Sequence, residues 1–240
     1  KNSAYEGGHR VPFLMRWPNG NLDSPKKVTA LTAHLDILPT LIDLCRLKAP
    51  KIDFDGKNIS NILYSPEDIS LNRSLVVESQ RIKYPEKWRK CAVMTDQWRL
   101  IDGIELYDIK KDPSQKLNIA LEYPEIVEKL RNDYEIFWDD VSREHNITSH
   151  IIIGSDTSPI VKLSSHDWLI DKSPPWNQFH VIDGKVAEIS YWALNVAKSG
   201  EYQISLRRWP VEANKGINDD TYGKSFKYHT AQLSIGNTRQ

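Results

Sequence analysis

Lys1-Asn2-Ser3-Ala4-Tyr5-Glu6-Gly7-Gly8-His9-Arg10-Val11-Pro12-Phe13-Leu14-Met15-Arg16-Trp17-Pro18 opens the chain. A charged, glycine-bearing turn runs here into an apolar segment, Val11 to Trp17, which Pro18 closes. Two adjacent glycines permit backbone conformations that a Cβ forbids, so Gly7-Gly8 reads as a tight turn feeding a strand. Glu6 and Arg10 flank that turn and can pair across it, because a guanidinium matches a carboxylate with two parallel hydrogen bonds.

The stretch resembles a signature near the end of the catalytic domain of type I, formylglycine-dependent sulfatases: Lys-Gly-x-x-Tyr-Glu-Gly-Gly-x-Arg-x-Pro-x-x-x-x-Trp-Pro. It departs from that signature at Asn2, where the family usually has glycine. The resemblance implies that Lys1 contacts the sulfate group. A fixed ammonium there offsets charge that builds on the sulfuryl oxygens as the S–O bond breaks. A lone lysine would be read as solvated; the register of the whole motif gives Lys1 its role. Glu6, Gly7, Gly8 and Arg10 are structural in that picture. His9 occupies a position that the family varies, at the rim of the site or simply on the surface.

Downstream, Leu35, Leu38, Leu41, Ile42 and Cys45 fall at helical spacing, with Asp36 as N-cap and Pro39 in the first turn. Cys45 reads as a buried small hydrophobe. Phe54-Asp55-Gly56-Lys57-Asn58 is a turn. Leu75–Gln80, Cys91–Thr95 and Trp98–Ile101 read as strands, joined through Thr95-Asp96 and leading to an Asp102-Gly103 hairpin turn. Glu125 to Trp138, preceded by Pro124, carries apolar residues at helical spacing and predicts a long amphipathic helix. Asp108, Asp112 and Asn118 resemble a metal cluster on paper but sit in turn and cap contexts. These segments resemble the small C-terminal subdomain of sulfatases, a short antiparallel sheet on one long helix.

The basic loop Gln80-Arg81-Ile-Lys83-Tyr-Pro-Glu-Lys87-Trp88 lies between strands. In the family this edge faces the active-site mouth. Arg81, Lys83 and Trp88, and with them Gln80, can hold a sugar by stacking and charge; a solvated basic loop is the alternative. From Ile151 onward the texture is strand-like, with Glu188–Val196 and Glu201–Leu206 alternating around Ser199-Gly200 as an antiparallel hairpin. Short strands at regular spacing indicate a β-sandwich or jelly roll. His166, Asp167, Trp168 and Trp176 read as sandwich plugs, or else as a sugar surface.

The expected fold class is α+β. Residues 1–72 end an alkaline-phosphatase-like α/β domain, 73–145 form the subdomain of sheet plus helix, and 146–240 form an accessory jelly-roll-like β domain. Charge is balanced at 32 basic and 32 acidic residues, which argues for neither nucleic acid nor an anionic membrane as partner. No apolar run is long enough for a spanning helix. Cys45 and Cys91 are too few for a disulfide framework.

Calcium and a formylglycine nucleophile are implied by the resemblance, but neither the cysteine motif nor the metal aspartates occur here. Asp139-Asp140 and Asp219-Asp220 stand in the wrong context. The expected metal-ligand set is therefore none. The chain reads as part of a sulfatase, cut at both ends and inactive alone. It would act with the remaining N-terminal part on a sulfated small molecule or glycan, in the periplasm or outside the cell. A noncatalytic carbohydrate-binding module, or a phosphate or phosphonate ester hydrolase of the same superfamily, are the alternatives.

Overall fold

The computed structural model describes residues 3–65, 69–80, 82–170, 179, 190–219, 227–230, 232–236 and 238–239. Residues 1–80 and 86–143 make one compact unit; residues 81–85 and 144–240 make a second.

In the first unit, a single helical turn α1 (Glu6–His9) and a short 3₁₀ turn (His34–Asp36) precede α2 (Ile37–Leu44) and α3 (Ser60–Tyr64). Four strands then follow in sequence: β1 (Leu75–Glu78), β2 (Cys91–Met94), β3 (Trp98–Ile101) and β4 (Glu105–Asp108). They pair in that order as an antiparallel meander, with Leu75 opposite Met94, Val93 opposite Leu100, and Leu100 opposite Leu106. The β3–β4 turn places both Asp102 and Gly103 at positive φ, 47° and 73°. That pair of left-handed residues matches the twist of a two-strand ribbon, and glycine takes it at no steric cost. The helix α4 (Pro124–Val141) starts with proline at its first position, where the missing N–H has no partner to lose.

Strand alternation divides the buried residues between two faces. Cys91, Val93, Leu100 and Leu106 face α4 and pack with Val127, Leu130 and Tyr134. Ala92, Met94, Ile101 and Tyr107 point the other way and pack with Leu75 and Ala4. The larger aliphatic side chains among them, such as Val93, Leu100 and Leu106, contribute about 1.5–3 kcal/mol each when fully buried. The sheet is therefore covered on one side by the helix and on the other by the opening motif.

Three expectations need correction in this unit. Residues 11–16 form no strand: Val11, Phe13 and Leu14 are exposed, and no described strand runs alongside to take their backbone groups. Instead Trp17 pairs with Leu22 around the Pro18–Gly20 turn. Cys45 is exposed, as are Leu35, Leu38 and Leu41; the side chain that α2 buries is Thr40. Asp36 stands at the N-cap position of α2 but makes no side-chain cap there.

Asp108, Asp112 and Asn118 close turns. Asp112 Oδ2 accepts the Lys116 and Leu117 N–H groups, and Asn118 Oδ1 accepts those of Leu106 and Ala120.

In the second unit, β5 (Ile151–Ile153) pairs in parallel with β6 (Leu194–Val196), and β7 (Ser234–Ile235) pairs with β8 (Thr238–Arg239). The described residues hold no sandwich beyond these two pairs, and 201–206 form no strand against β6. The partner of β6 is β5, a pairing that no local turn announces. His166 and Asp167 lie in a turn capped by Ser164, and Trp168 meets Trp192 edge-on at 5.8 Å. Trp176 lies outside the described residues. No described helix is long and apolar enough to cross a membrane.

Candidate functional site

The opening motif docks on the sheet face opposite α4. Ala4 is buried there, and Tyr5 meets Tyr107 edge-on at 6.0 Å. Both phenols donate to Glu105 Oε2, at 2.6 Å from Tyr5 and 2.8 Å from Tyr107. The Glu6 backbone N–H donates to Gln115 Oε1 at 2.8 Å. Its side chain is buried and pairs with the Arg99 guanidinium, which rises from β3 on the same face. Arg99 also donates to the Trp98 carbonyl at 2.9 Å and to Thr95 O. Arg10 does reach Glu6, at 3.3 Å, but from solvent. The main partner of Glu6 is thus 93 residues away in sequence.

His9 lies 3.6 Å from Glu6 Oε1. The His9 ring and the Arg99 guanidinium hold the Glu6 carboxyl down to about 2 from its ordinary 4.5, against burial, which pushes it up. At 3.6 Å the His9 contact exceeds hydrogen-bond length, so the direct Arg99 contact is the firmer hold. A carboxyl whose folded pKa lies below its unfolded value adds stability that is complete above the unfolded pKa. That stability disappears as pH falls through the folded one. Between about pH 4.5 and 2 this pair should release about 3 kcal/mol. Urea midpoints across that window should fall steeply for the parent chain and much less for Glu6→Gln. Equal slopes would remove Glu6 from the account.

The two glycines are unlike one another. Both are in the α1 turn rather than at positive φ, so conformational freedom is not what selects them. A Cβ on Gly8 would stand 2.1 Å from the Ser3 carbonyl oxygen, whereas one on Gly7 would meet nothing within 4 Å. Gly8→Ala must therefore push the motif's first residues off the sheet, at about 1–3 kcal/mol. Gly7→Ala should be neutral or gain a few tenths to about 1 kcal/mol from helix propensity. Thermal unfolding of the two variants side by side tests this; equal shifts would contradict it.

A second buried ion pair holds the region behind the motif. Asp36 is fully buried and Arg73, on the approach to β1, grips both its oxygens. Asp36 also accepts the Ala33 and Lys57 N–H groups, each at 2.8 Å. Burial alone would raise this carboxyl; the Arg73 hydrogen bonds and the two N–H donors outweigh it and hold it low. Gly56 makes the packing possible, since a Cβ there would sit 1.9 Å from the Leu35 carbonyl oxygen.

Of the residues singled out in the sequence, Lys1 and Arg81 lie outside the described residues. His9 faces Glu6, with its side chain 12% exposed. Gln80 is committed to its own loop: its Oε1 accepts the Glu86 N–H and its Nε2 donates to Glu86 O, both at 3.0 Å. Trp88 stacks on Tyr134 at 3.7 Å and packs against the helix-side core. Its backbone N–H donates to Tyr134 Oη, which itself donates to Glu78 Oε1 at 2.6 Å. Trp88 sits at φ 61° with Gly103 close against its ring, and packing accounts for its place. Gln80 and Trp88 belong to the first unit. Lys83 belongs to the second, its ammonium over the rings of Tyr84 and Tyr191 at 5.1 and 5.7 Å. Sequence reasoning missed Arg99, Gln115, Arg73 and Glu78, whose partners are too distant in the chain for spacing to reveal.

Residues 1–137 match the family model of N-sulphoglucosamine sulphohydrolase, C-terminal. Among curated proteins, the chain is 32% identical over 147 residues to an N-acetylgalactosamine-6-O-sulfatase of Bacteroides thetaiotaomicron. It is 28% identical over 144 residues to arylsulfatase K of Gallus gallus. Each match covers 54% of this chain but only 27% and 26% of the relatives, so the chain spans about a quarter of their length. A solved 2-O GAG sulfatase is 22% identical, covers 48% of this chain and 26% of its own, and has a TM-score of 0.35, too low to carry an argument. The family model spans more than half of the 240 residues, and on that ground the chain belongs to the C-terminal family of N-sulphoglucosamine sulphohydrolase.

Proposed function

We propose that these residues form the C-terminal part of a sulfatase that hydrolyses sulfate esters of carbohydrates, and that Lys1 contacts the sulfate. The reading is carried by one observation: the motif that follows Lys1 is clamped onto the sheet by a buried Glu6–Arg99 pair. A charge serving a transition state needs preorganisation, and the docked residues 4–6 follow close behind Lys1 in sequence. The lysine's work is electrostatic: it stabilises negative charge on sulfate oxygens as the ester bond breaks. The family description and the bacterial relative's name both refer to sulfated amino sugars, which supports a carbohydrate substrate.

The exposed apolar side chains Val11, Phe13, Leu14, Leu38 and Leu41 support a role inside a larger protein, because such surface is usually covered. The nucleophile and any calcium would come from outside this chain, and the 240 residues alone are inactive in this reading. The described residues hold no group of three or more His, Cys, Asp or Glu suited to a metal, and no step here runs through one. Lys83 and Arg81 remain substrate contacts in the proposal; the location is periplasmic or extracellular.

The test is hydrolysis of an aryl sulfate and an aryl phosphate by the complete polypeptide carrying these residues. Turnover of the sulfate ester well above the phosphate ester is expected. Preference for phosphate would transfer the chain to the phosphate or phosphonate ester hydrolase reading.

A further inference from the structure

The second unit carries a cavity of about 330 Å³ whose walls include Leu206, Arg207, Arg208, Lys215 and Ile217. Three cationic side chains line it and, among the described residues, no carboxylate does. Glu212, between them in sequence, is turned to Lys162 at 3.6 Å. Arg208 is held in place: its guanidinium lies 4.8 Å from the Trp209 ring and 5.6 Å from the Tyr228 ring, and Nη1 donates to Ile217 O at 3.4 Å. The turn behind it is fixed by the Gly216 N–H on Asp219 Oδ2 at 2.7 Å and by Trp209 Nε1 on Asp219 O. A guanidinium stacked on aromatic rings keeps its plane and loses little freedom on meeting an anion. Arg207 and Lys215 are exposed beside it.

We propose that this cavity is a binding site for one sulfate group of an acidic glycan. The volume sits at the lower end of small-molecule pockets, enough for about one sugar ring. The choice of a sulfated glycan over another polyanion rests on the sulfatase reading; the anion site itself does not. Two observations disfavour nucleic acid. Trp209 and Tyr228 each give Arg208 a ring face on which a base would otherwise stack. The chain as a whole has zero net charge, without the broad basic surface that phosphate backbones require.

Calorimetric titration of the 240-residue chain tests the site with a heparin tetrasaccharide, an unsulfated hyaluronan tetrasaccharide and a single-stranded DNA of equal charge. The heparin probe should bind, more weakly as salt is added, and Arg207→Ala/Lys215→Ala should weaken it roughly tenfold or more. The unfolding midpoint of that variant should match the parent, because both side chains are exposed. Unchanged affinity in the variant, or DNA bound as tightly as heparin, would overturn the proposal. Because the readout is binding, it stands or falls independently of ester hydrolysis.

Discussion

Asp36→Ala should lower the stability of the first unit by about 3–5 kcal/mol, the usual cost of stranding one member of a buried ion pair. The geometry puts this site at the upper end. Asp36 has no exposed surface, and the Arg73 side chain is 8% exposed, so water cannot replace the missing carboxylate. The substitution also strands the Ala33 and Lys57 N–H groups, and unmade buried hydrogen bonds add to the loss. Folded domains are stable by only about 5–15 kcal/mol, so a large share of the total is at stake. Urea unfolding followed by tryptophan fluorescence measures it. Asp36→Asn, which keeps an acceptor but not the charge, should fall between parent and alanine. A change under about 1 kcal/mol for Asp36→Ala would mean that Arg73 finds another partner.

The sheet and its covering helix were legible because their signals are local. Ile126, Val127, Leu130, Tyr134, Phe137 and Trp138 recur at helical spacing, and α4 turns these same residues onto the sheet. The turns at Thr95-Asp96 and Asp102-Gly103 announce the strands they join. What stayed hidden depends on partners far apart in sequence. Glu6 looked paired with Arg10, four residues on, but an exposed side chain is a weak competitor for a carboxylate that Arg99 reaches inside the core. Asp36 looked like a helix cap because nothing in its neighbourhood points to Arg73. Trp88 stood out as an aromatic in a basic loop; its stacking on Tyr134, 46 residues away, was hidden. In the second unit, the alternation over 201–206 suggested a hairpin. Alternation alone fixes no partner, and β6 pairs with β5 instead.

The second large effect concerns chemistry. Lys1→Ala in the complete enzyme should lower kcat on an aryl sulfate by about 10²–10³, the scale of losing one preorganised group that stabilises developing charge. KM should move less, since the sulfate gathers most of this interaction only as the bond breaks. The contacts that dock the motif on the sheet are made by Ala4, Tyr5 and Glu6. The unfolding midpoint of the variant should therefore equal the parent's. The kcat of Lys1→Ala, measured beside that midpoint, tests the central claim most directly. A fall of about a hundredfold or more in a fully folded protein is the result expected. A folded variant within about threefold of the parent rate would contradict the claim that the sheet-clamped motif serves to place this charge on the substrate.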